Sequence, residues 1–305
     1  MIRLMNALHW PVFLAMWLGM VAAAHAESVA ILLPDNKGHY GEFASSFKAA
    51  LKTLLPLQTV VTVDTPAEAA AVGAKVEVAV GTPAMQTLLN AKSGRIQVLV
   101  ALVPRAPFER ALGAVAGASA LYLDQPEDRQ MALIGALPGR LETVGVIASP
   151  GASVSLPRLR QGAQRFKLKL VEYSVNDEKD VARAVQEAVG QSEILLAHPD
   201  PVVFNPQSIQ SVLLTSYRSR VPLLGFSPAY TRAGALASLH STIPQMAAQA
   251  AEMVRTAMQT GNLPAAQYPR DFEVSVNRQV ARSLGVDMPP EHVLVERVRQ
   301  KERGQ

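Results

Sequence analysis

Short apolar runs alternate with amphipathic segments along most of the chain. Val29–Leu33 is a continuous apolar run, and Phe43, Phe47, Leu51 and Leu54 then recur at the spacing of one helix face. Strands of a parallel sheet are apolar on both sides because helices cover both faces of the sheet. The pattern therefore predicts an α/β fold built on parallel sheets.

The pattern occurs in two blocks, which predict two doubly wound, Rossmann-like lobes with a ligand cleft between the carboxyl ends of their strands. The stretch 106–119 is rich in Ala and Gly without a clear period, and it is interpreted as the end of the first lobe. The other predicted strands are Val60–Val63, Val76–Val80, Ile96–Leu102, Ala120–Leu123, Thr143–Ala148, Leu168–Tyr173, Glu193–Ala197, Val221–Gly225, Ala235–Leu239 and Phe272–Val276.

The last third of the chain has more elements than the second lobe needs. Thr242 and Gln245 form a capping box that starts a long helix with a small-residue face. The chain is therefore expected to cross back between the lobes, with a hinge in Gly225–Gly234. The expected division is a signal peptide at 1–26, an N-terminal lobe at 27–118 plus 230–262, a C-terminal lobe at 119–229 plus 263–290, and a C-terminal tail at 291–305.

Composition and charge narrow the class of function. The 305 residues are enough for two domains, and the net charge of +4 is spread along the chain without a dense Lys/Arg block. A nucleic-acid partner is therefore not expected. The chain has no Cys, so disulfides and thiol chemistry are excluded.

The N terminus has the features of an export signal. Arg3 is followed by an apolar stretch, Val12–Ala24, and Ala24-His25-Ala26 gives a small-x-small cleavage pattern. The apolar stretch is shorter than the roughly 20 residues of a membrane-spanning helix. We expect cleavage and a periplasmic protein; an uncleaved N-terminal anchor is the alternative.

Motifs for cofactors and metals are not found. No His stands four residues from another, and no glycine-rich phosphate loop occurs, so no metal or cofactor is predicted. One catalytic alternative is a serine hydrolase, since Ser227 follows a buried strand and Asp271 and His292 come later in hydrolase order. Pro228 and the aperiodic segment after it argue against the helix that such a serine needs.

The loops after the predicted strands favour ligand binding, because capped helix starts present N–H groups to a cleft. Asp200 is a candidate partner for a ligand amine. Asn205 is first of all a helix cap, and Phe226 is also suited to packing. The candidate ligand-binding residues are Asn36, His39, Tyr40, Thr82, Ser149, Asp200, Phe204, Asn205 and Phe226.

Three segments carry a family resemblance: Ala120–Pro150, His198–Met258 and Phe272–Pro289. The middle one contains HPDPVVFNPQSIQSVLLTSYRSRVPLLGFSPAY, which is the most specific part. The chain resembles the ABC-transporter substrate-binding proteins related to tryptophan/tyrosine-binding proteins. The resemblance covers most of the chain from Ala120 to Pro289.

This resemblance implies a type I periplasmic-binding-protein fold with three crossings, which closes around a small molecule and delivers it to an ABC permease. It implies a monomeric, non-enzymatic protein and an amino acid or related small acid as ligand; a membrane receptor or kinase is the alternative partner. Carried over by position, Thr82, Ser149, Asp200, Asn205 and Phe226 would meet the ligand. The loops Asp35–Tyr40 and Val103–Arg105 depart from the family's pattern, and such loops line the cleft in this fold.

Overall fold

The computed structural model describes residues 28–91, 97–113 and 115–304. The predicted signal peptide at 1–26 lies outside the described residues. Within the described part of the chain, no helix combines the length and the apolar character needed to cross a membrane.

The first lobe is built on a five-stranded parallel sheet of order β2-β1-β3-β4-β5. Most residues of its central strands are apolar and buried, because helices cover both faces of the sheet. The strands are β1 (Ser28–Leu32), β2 (Thr59–Val63), β3 (Ala74–Val80), β4 (Gln97–Val103) and β5 (Ala118–Tyr122). The helices between them are α1 (Gly38–Leu54), α2 (Pro66–Ala71), α3 (Gly81–Ala91) and α4 (Arg105–Leu112).

The second lobe is built on a six-stranded sheet of order β11-β10-β9-β8-β6-β7, in which β11 alone runs antiparallel to its neighbour. Its strands are β6 (Thr143–Ala148), β7 (Lys169–Ser174), β8 (Ile194–Leu196), β9 (Leu223–Gly225), β10 (Ala237–His240) and β11 (Glu273–Val276). The remaining helices are α5 (Glu127–Ile134), α6 (Leu156–Arg165), α7 (Val181–Gln191), α8 (Ile209–Arg218), α9 (Pro228–Ala233), α10 (Ile243–Thr260), α11 (Arg278–Leu284) and α12 (Glu291–Arg303).

Helix α10 follows a strand of the second sheet but packs on the first. Its start is fixed by the capping box, in which Thr242 accepts from the Gln245 N–H and Gln245 accepts from the Thr242 N–H. Ala247, Ala250 and Val254 are fully buried against α1 and the first sheet. The small side chains allow two helices to approach closely on the same face of the sheet.

Within the described residues the chain passes between the lobes three times, at residues 123–126, 241–242 and 269–272. Before the third passage, Gln267 pairs with Leu121 along the free edge of β5. The fold is thus two doubly wound lobes, as the sequence pattern predicts, and they are joined by three segments of the chain, as the family resemblance implies.

Three details of the expected division are wrong. The expected hinge Gly225–Gly234 contains helix α9, because Pro228 is preset for a first helical turn and Gly234 ends the helix with φ 128°. Strand β10 pairs with β9, so the chain stays in the second lobe until residue 240. The expected tail forms α12, which buries Leu294 and Val298 against the second lobe. The remaining boundaries of the lobes stay predictions.

Candidate functional site: a cavity between the two lobes

A cavity of about 470 Å³ lies where the lobes meet. It is bounded by the carboxyl ends of β8, β9 and β10 on one side and by Arg105 and Tyr268 on the other. Ligands of doubly wound sheets bind at this end of the strands, and the volume suits a small molecule. Its apolar lining is formed by Leu123, Val154, Leu196, Ala197, Leu224, Phe226, Leu239 and Ile243.

The positively charged side chain of the site is that of Arg105, which belongs to the first lobe. Leu102 has φ 55°, and the register of β4 on β5 shifts between Ala101 and Val103, so β4 ends in a bulge that turns the chain just before α4. The Arg105 side chain is buried, forms a 2.6 Å ion pair with Glu109 and lies 3.5 Å from Glu127. Because Glu127 starts a helix of the second lobe, this contact joins the two lobes.

Two carboxylates of the cavity are held by hydrogen bonds. Glu127 accepts from the Ser155 N–H at 3.2 Å and from the Tyr268 hydroxyl at 3.2 Å. Asp124 accepts from the Arg105 N–H and from Ser153. Burial, together with the nearby negative charge of Glu127, raises the pKa of Asp124 to about 6. Both acids therefore lie at the junction of the lobes.

Gln130 and His240 line the same cavity, and each carries a buried polar atom without a partner among the described residues. These atoms are Oε1 of Gln130 and Nδ1 of His240. Burial lowers the pKa of His240, so its ring is neutral at pH 7. An unpaired buried polar group costs about 1 to 3 kcal/mol, which a ligand with a complementary group would recover.

The passages between the lobes are hydrogen-bonded to each other beside the cavity. Gln125 Nε2 donates to Ser241 Oγ at 2.8 Å, and that hydroxyl donates to the Asp271 carbonyl at 2.6 Å. Arg129 donates to Gln125 Oε1 at 2.9 Å and to the Pro269 carbonyl at 2.8 Å. All three passages therefore share one polar network. Because Gln125 and Ser241 also line the cavity, the network connects the three passages with the cavity.

Among the predicted site residues, Asp200 and Ser149 bind each other. Asp200 accepts from the N–H and the hydroxyl of Ser149 at 2.7 and 2.9 Å, and from the N–H groups of Val202 and Val203. Burial alone would raise the pKa of Asp200, but these hydrogen bonds outweigh it and lower the pKa. The carboxylate stabilises the loop after β8, and its contact with a ligand stays a prediction.

Replacing Asp200 by alanine is expected to lower the free energy of unfolding by about 2 kcal/mol, since the buried N–H of Ser149 loses a charged acceptor. Urea denaturation of both proteins measures the difference. Asp64→Ala is the matched control, because that side chain is exposed and accepts no hydrogen bond within the described residues. Equal stability of the Asp200 variant and the control would contradict the structural role of the carboxylate.

The other predicted residues of the second lobe divide between packing, turn formation and the cavity. Asn205 Oδ1 accepts from the N–H groups of Gln207 and Ser208, so the residue fixes the turn before α8. Phe204 is buried, with its ring centroid 5.5 Å from that of His198. Phe226 lines the cavity and is the one predicted residue that does so.

The predicted residues of the first lobe lie together, but they are not among those that line the cavity. Asn36 and His39 are exposed, and α1 already begins at Gly38, before the predicted loop ends. The Tyr40 ring packs on Gly81, where an added Cβ would lie 2.6 Å from Cε1. Thr82 is exposed inside α3 rather than at its cap. Contact of these four residues with a ligand stays a prediction.

The polar residues of the cavity were mostly missed by sequence reasoning, although a signal exists for most of them. These residues are Arg105, Asp124, Gln125, Glu127, Gln130, His240, Ser241 and Tyr268. Arg105 lies in the loop after the fourth predicted strand, Asp124, Gln125 and Glu127 follow the predicted strand Ala120–Leu123, and His240 and Ser241 follow the predicted strand Ala235–Leu239. Gln130 and Tyr268 do not directly follow a predicted strand.

The serine-hydrolase alternative is partly testable from the geometry. Ser227 lines the cavity and precedes α9, so the argument that no helix follows it is wrong. Asp271, however, lies 3.4 Å from both Arg270 and Arg299, and His292 is exposed on α12. Among the described residues no hydrogen bond joins Ser227, Asp271 and His292, and no group of three or more acidic or His side chains is arranged to hold a metal ion.

Solved structures similar to this chain share its fold. A ligand-free, open substrate-binding protein with adhesive properties from Clostridium difficile has a TM-score of 0.68 at 18% identity, covering 86% of this chain and 96% of its own. A domain from Streptococcus pneumonia in complex with L-Trp has a TM-score of 0.61 at 16% identity, covering 88% and 98%. A conserved domain protein from Vibrio cholerae has a TM-score of 0.59 at 22% identity, also covering 88% and 98%.

The family of the chain is identified by comparing its sequence with family models. The chain matches no functionally curated protein at a significant level. The family model described as ABC transporter substrate binding protein, in contrast, matches residues 70–301, which include the second lobe and most elements that bound the cavity. With two Rossmann-like lobes of the type I periplasmic-binding-protein fold, the chain belongs to the family of ABC transporter substrate-binding proteins.

Proposed function

We propose that the protein is periplasmic and captures a small organic molecule, an amino acid or a related small acid, in the cavity between its lobes. It then delivers this ligand to an ABC permease. The observation that carries the proposal is the cavity itself, which residues of both lobes line at the carboxyl ends of the second sheet. Family membership supports transport, and the L-Trp complex of a similar structure illustrates an amino acid in this fold. The predicted export signal supports the location.

Closure of the lobes couples binding to delivery in this proposal. The Arg105–Glu127 contact spans the lobes next to the cavity, and Tyr268 binds the same carboxylate. A ligand that touches both lobes favours the closed arrangement by the difference in its affinity for the two states. The hydrogen-bonded passages are short, so they allow rotation of the lobes while keeping them aligned.

Binding is tested first by native mass spectrometry of the purified protein, and then by isothermal titration with free amino acids and related acids. Phe226→Ala is expected to weaken the best ligand about tenfold, because loss of an apolar contact of this size costs about 1.5 kcal/mol. Tyr217→Ala is the control, since Tyr217 is 45% exposed on α8 outside the cavity. Equal affinities of the two variants would place the ligand elsewhere, and no binding by any compound would refute the proposed capture.

A further inference from the structure

The balance of charge in the cavity limits the ligands it accepts. Among the described residues, its lining contains one Arg or Lys side chain, that of Arg105, and two carboxylates, those of Asp124 and Glu127. Arg105 is committed to Glu109 at 2.6 Å, outside the lining, as well as to Glu127. A carboxylate of a ligand would therefore enter a space whose cation already has two anionic neighbours. A third anion there is unfavourable at short range, where solvent screening is weak.

The start of α10 borders the cavity but does not replace the missing cation. The Gln245 N–H is bound by the Thr242 hydroxyl, the Met246 N–H by the Thr242 carbonyl, and Pro244 has no N–H. In the first turn this leaves only the N–H of Ile243 for a ligand. The capping box thus consumes most of the donors that make a helix N terminus an anion site.

The cavity lining does, in contrast, offer hydrogen-bond acceptors to a ligand. Gln130 carries an unpartnered buried Oε1 and is only 8% exposed. It lines the cavity together with Glu127, which precedes it by three residues on α5 and so lies on the same side of that helix. An N–H donor of a ligand would satisfy the amide oxygen and gain the attraction of the carboxylate.

We infer, on the basis of the proposed function, that the cavity selects a small molecule with a cationic N–H donor, such as an ammonium group, at Gln130 and Glu127 and an apolar body at Phe226 and Leu239. A molecule whose sole charge is a carboxylate is rejected. The inference narrows the ligand class from amino acids and related acids to compounds that carry an amine.

The test compares matched compounds that share an apolar body and differ only in the charged group attached to it, called the head. Three bodies, isobutyl, phenyl and indole, are each offered as the amine, the amino acid and the carboxylic acid, and affinities are measured by isothermal titration at pH 7.5. The amine or the amino acid is expected to bind at least tenfold more tightly than the acid with the same body. An acid that binds as tightly as its matched amine and amino acid overturns the inference and leaves the proposed function standing. Absence of binding by all nine compounds refutes both.

Gln130→Leu tests the position of the head. This variant is expected to weaken the amine at least fivefold and to leave the acid unchanged, whereas Gln164→Leu, on the exposed face of α6, changes neither. Glu127→Gln provides a second variant and is expected to reduce the amine-to-acid preference at least fivefold. Circular dichroism verifies folding. An unchanged preference in the folded variants would overturn the assignment of the head to Gln130 and Glu127.

Discussion

Replacing Arg129 by methionine is expected to lower the free energy of unfolding by about 3 to 5 kcal/mol. The guanidinium is 8% exposed and donates to Gln125, to the Pro269 carbonyl and, at 2.7 Å, to Glu302. It also lies 4.3 Å from the centroid of the Phe272 ring. Methionine fills much of the space but leaves these acceptors unpaired, and unpaired buried acceptors carry a desolvation cost.

The loss at Arg129 is large because one side chain joins the first passage, the third passage and helix α12. Arg165→Met is the matched control, since Arg165 binds Asp128 with both side chains more than a third exposed. Exposed ion pairs contribute less than about 1 kcal/mol. Urea denaturation at pH 7 gives both values, and a loss below about 1 kcal/mol for Arg129→Met would contradict the role of the network in joining the lobes.

Replacing Glu77 by methionine is expected to stabilise the protein by about 3 kcal/mol at pH 8. Glu77 lies within β3 between Ala30 and Val98 of the neighbouring strands, is fully buried, and has neither carboxylate oxygen hydrogen-bonded within the described residues. Burial raises its pKa from 4.5 to about 7. A tenfold change in an acid dissociation constant corresponds to about 1.4 kcal/mol, so ionisation of the buried carboxyl group is costly above neutral pH.

The sign of the pH dependence follows from the raised pKa. Between about pH 4.5 and pH 7 the folded protein holds a proton that the unfolded chain has lost, so stability falls as the pH rises through this interval. The gain from Glu77→Met should therefore be larger at pH 8 than at pH 5. Glu42→Met, at an exposed position of α1, should change stability by less than about 0.5 kcal/mol at either pH. Equal gains at both pH values would contradict an ionisable origin of the effect.

Local patterns predicted the elements well where one signal dominates. The apolar runs at β1 and β6 are buried strands, and the capping box at Thr242 begins α10 as expected. The pattern failed at α9, where six residues are too few to show a helical period. It also failed at α12, whose polar composition reads as a tail although Leu294 and Val298 are fully buried.

The candidate site was less predictable than the fold. Loops were selected for helix caps, but Asp200 and Asn205 use their side-chain oxygens to accept hydrogen bonds from backbone N–H groups of the protein itself. Cap chemistry and ligand chemistry require the same residue types, so sequence alone does not separate them. Phe226 was found because it follows a central strand of the second sheet.

By itself, the sequence determined that the chain forms two lobes of mainly parallel sheet. A strand that is buried on both faces of a sheet needs apolar residues at successive positions, and this pattern is visible in the sequence. Only the tertiary structure decided where the chain passes between the lobes and which polar groups surround the cavity. Arg105 and Glu127 belong to different lobes, and Gln125 donates to Ser241, which lies 116 residues later in the chain. Their proximity depends on the packing of whole elements, for which a local pattern holds no information.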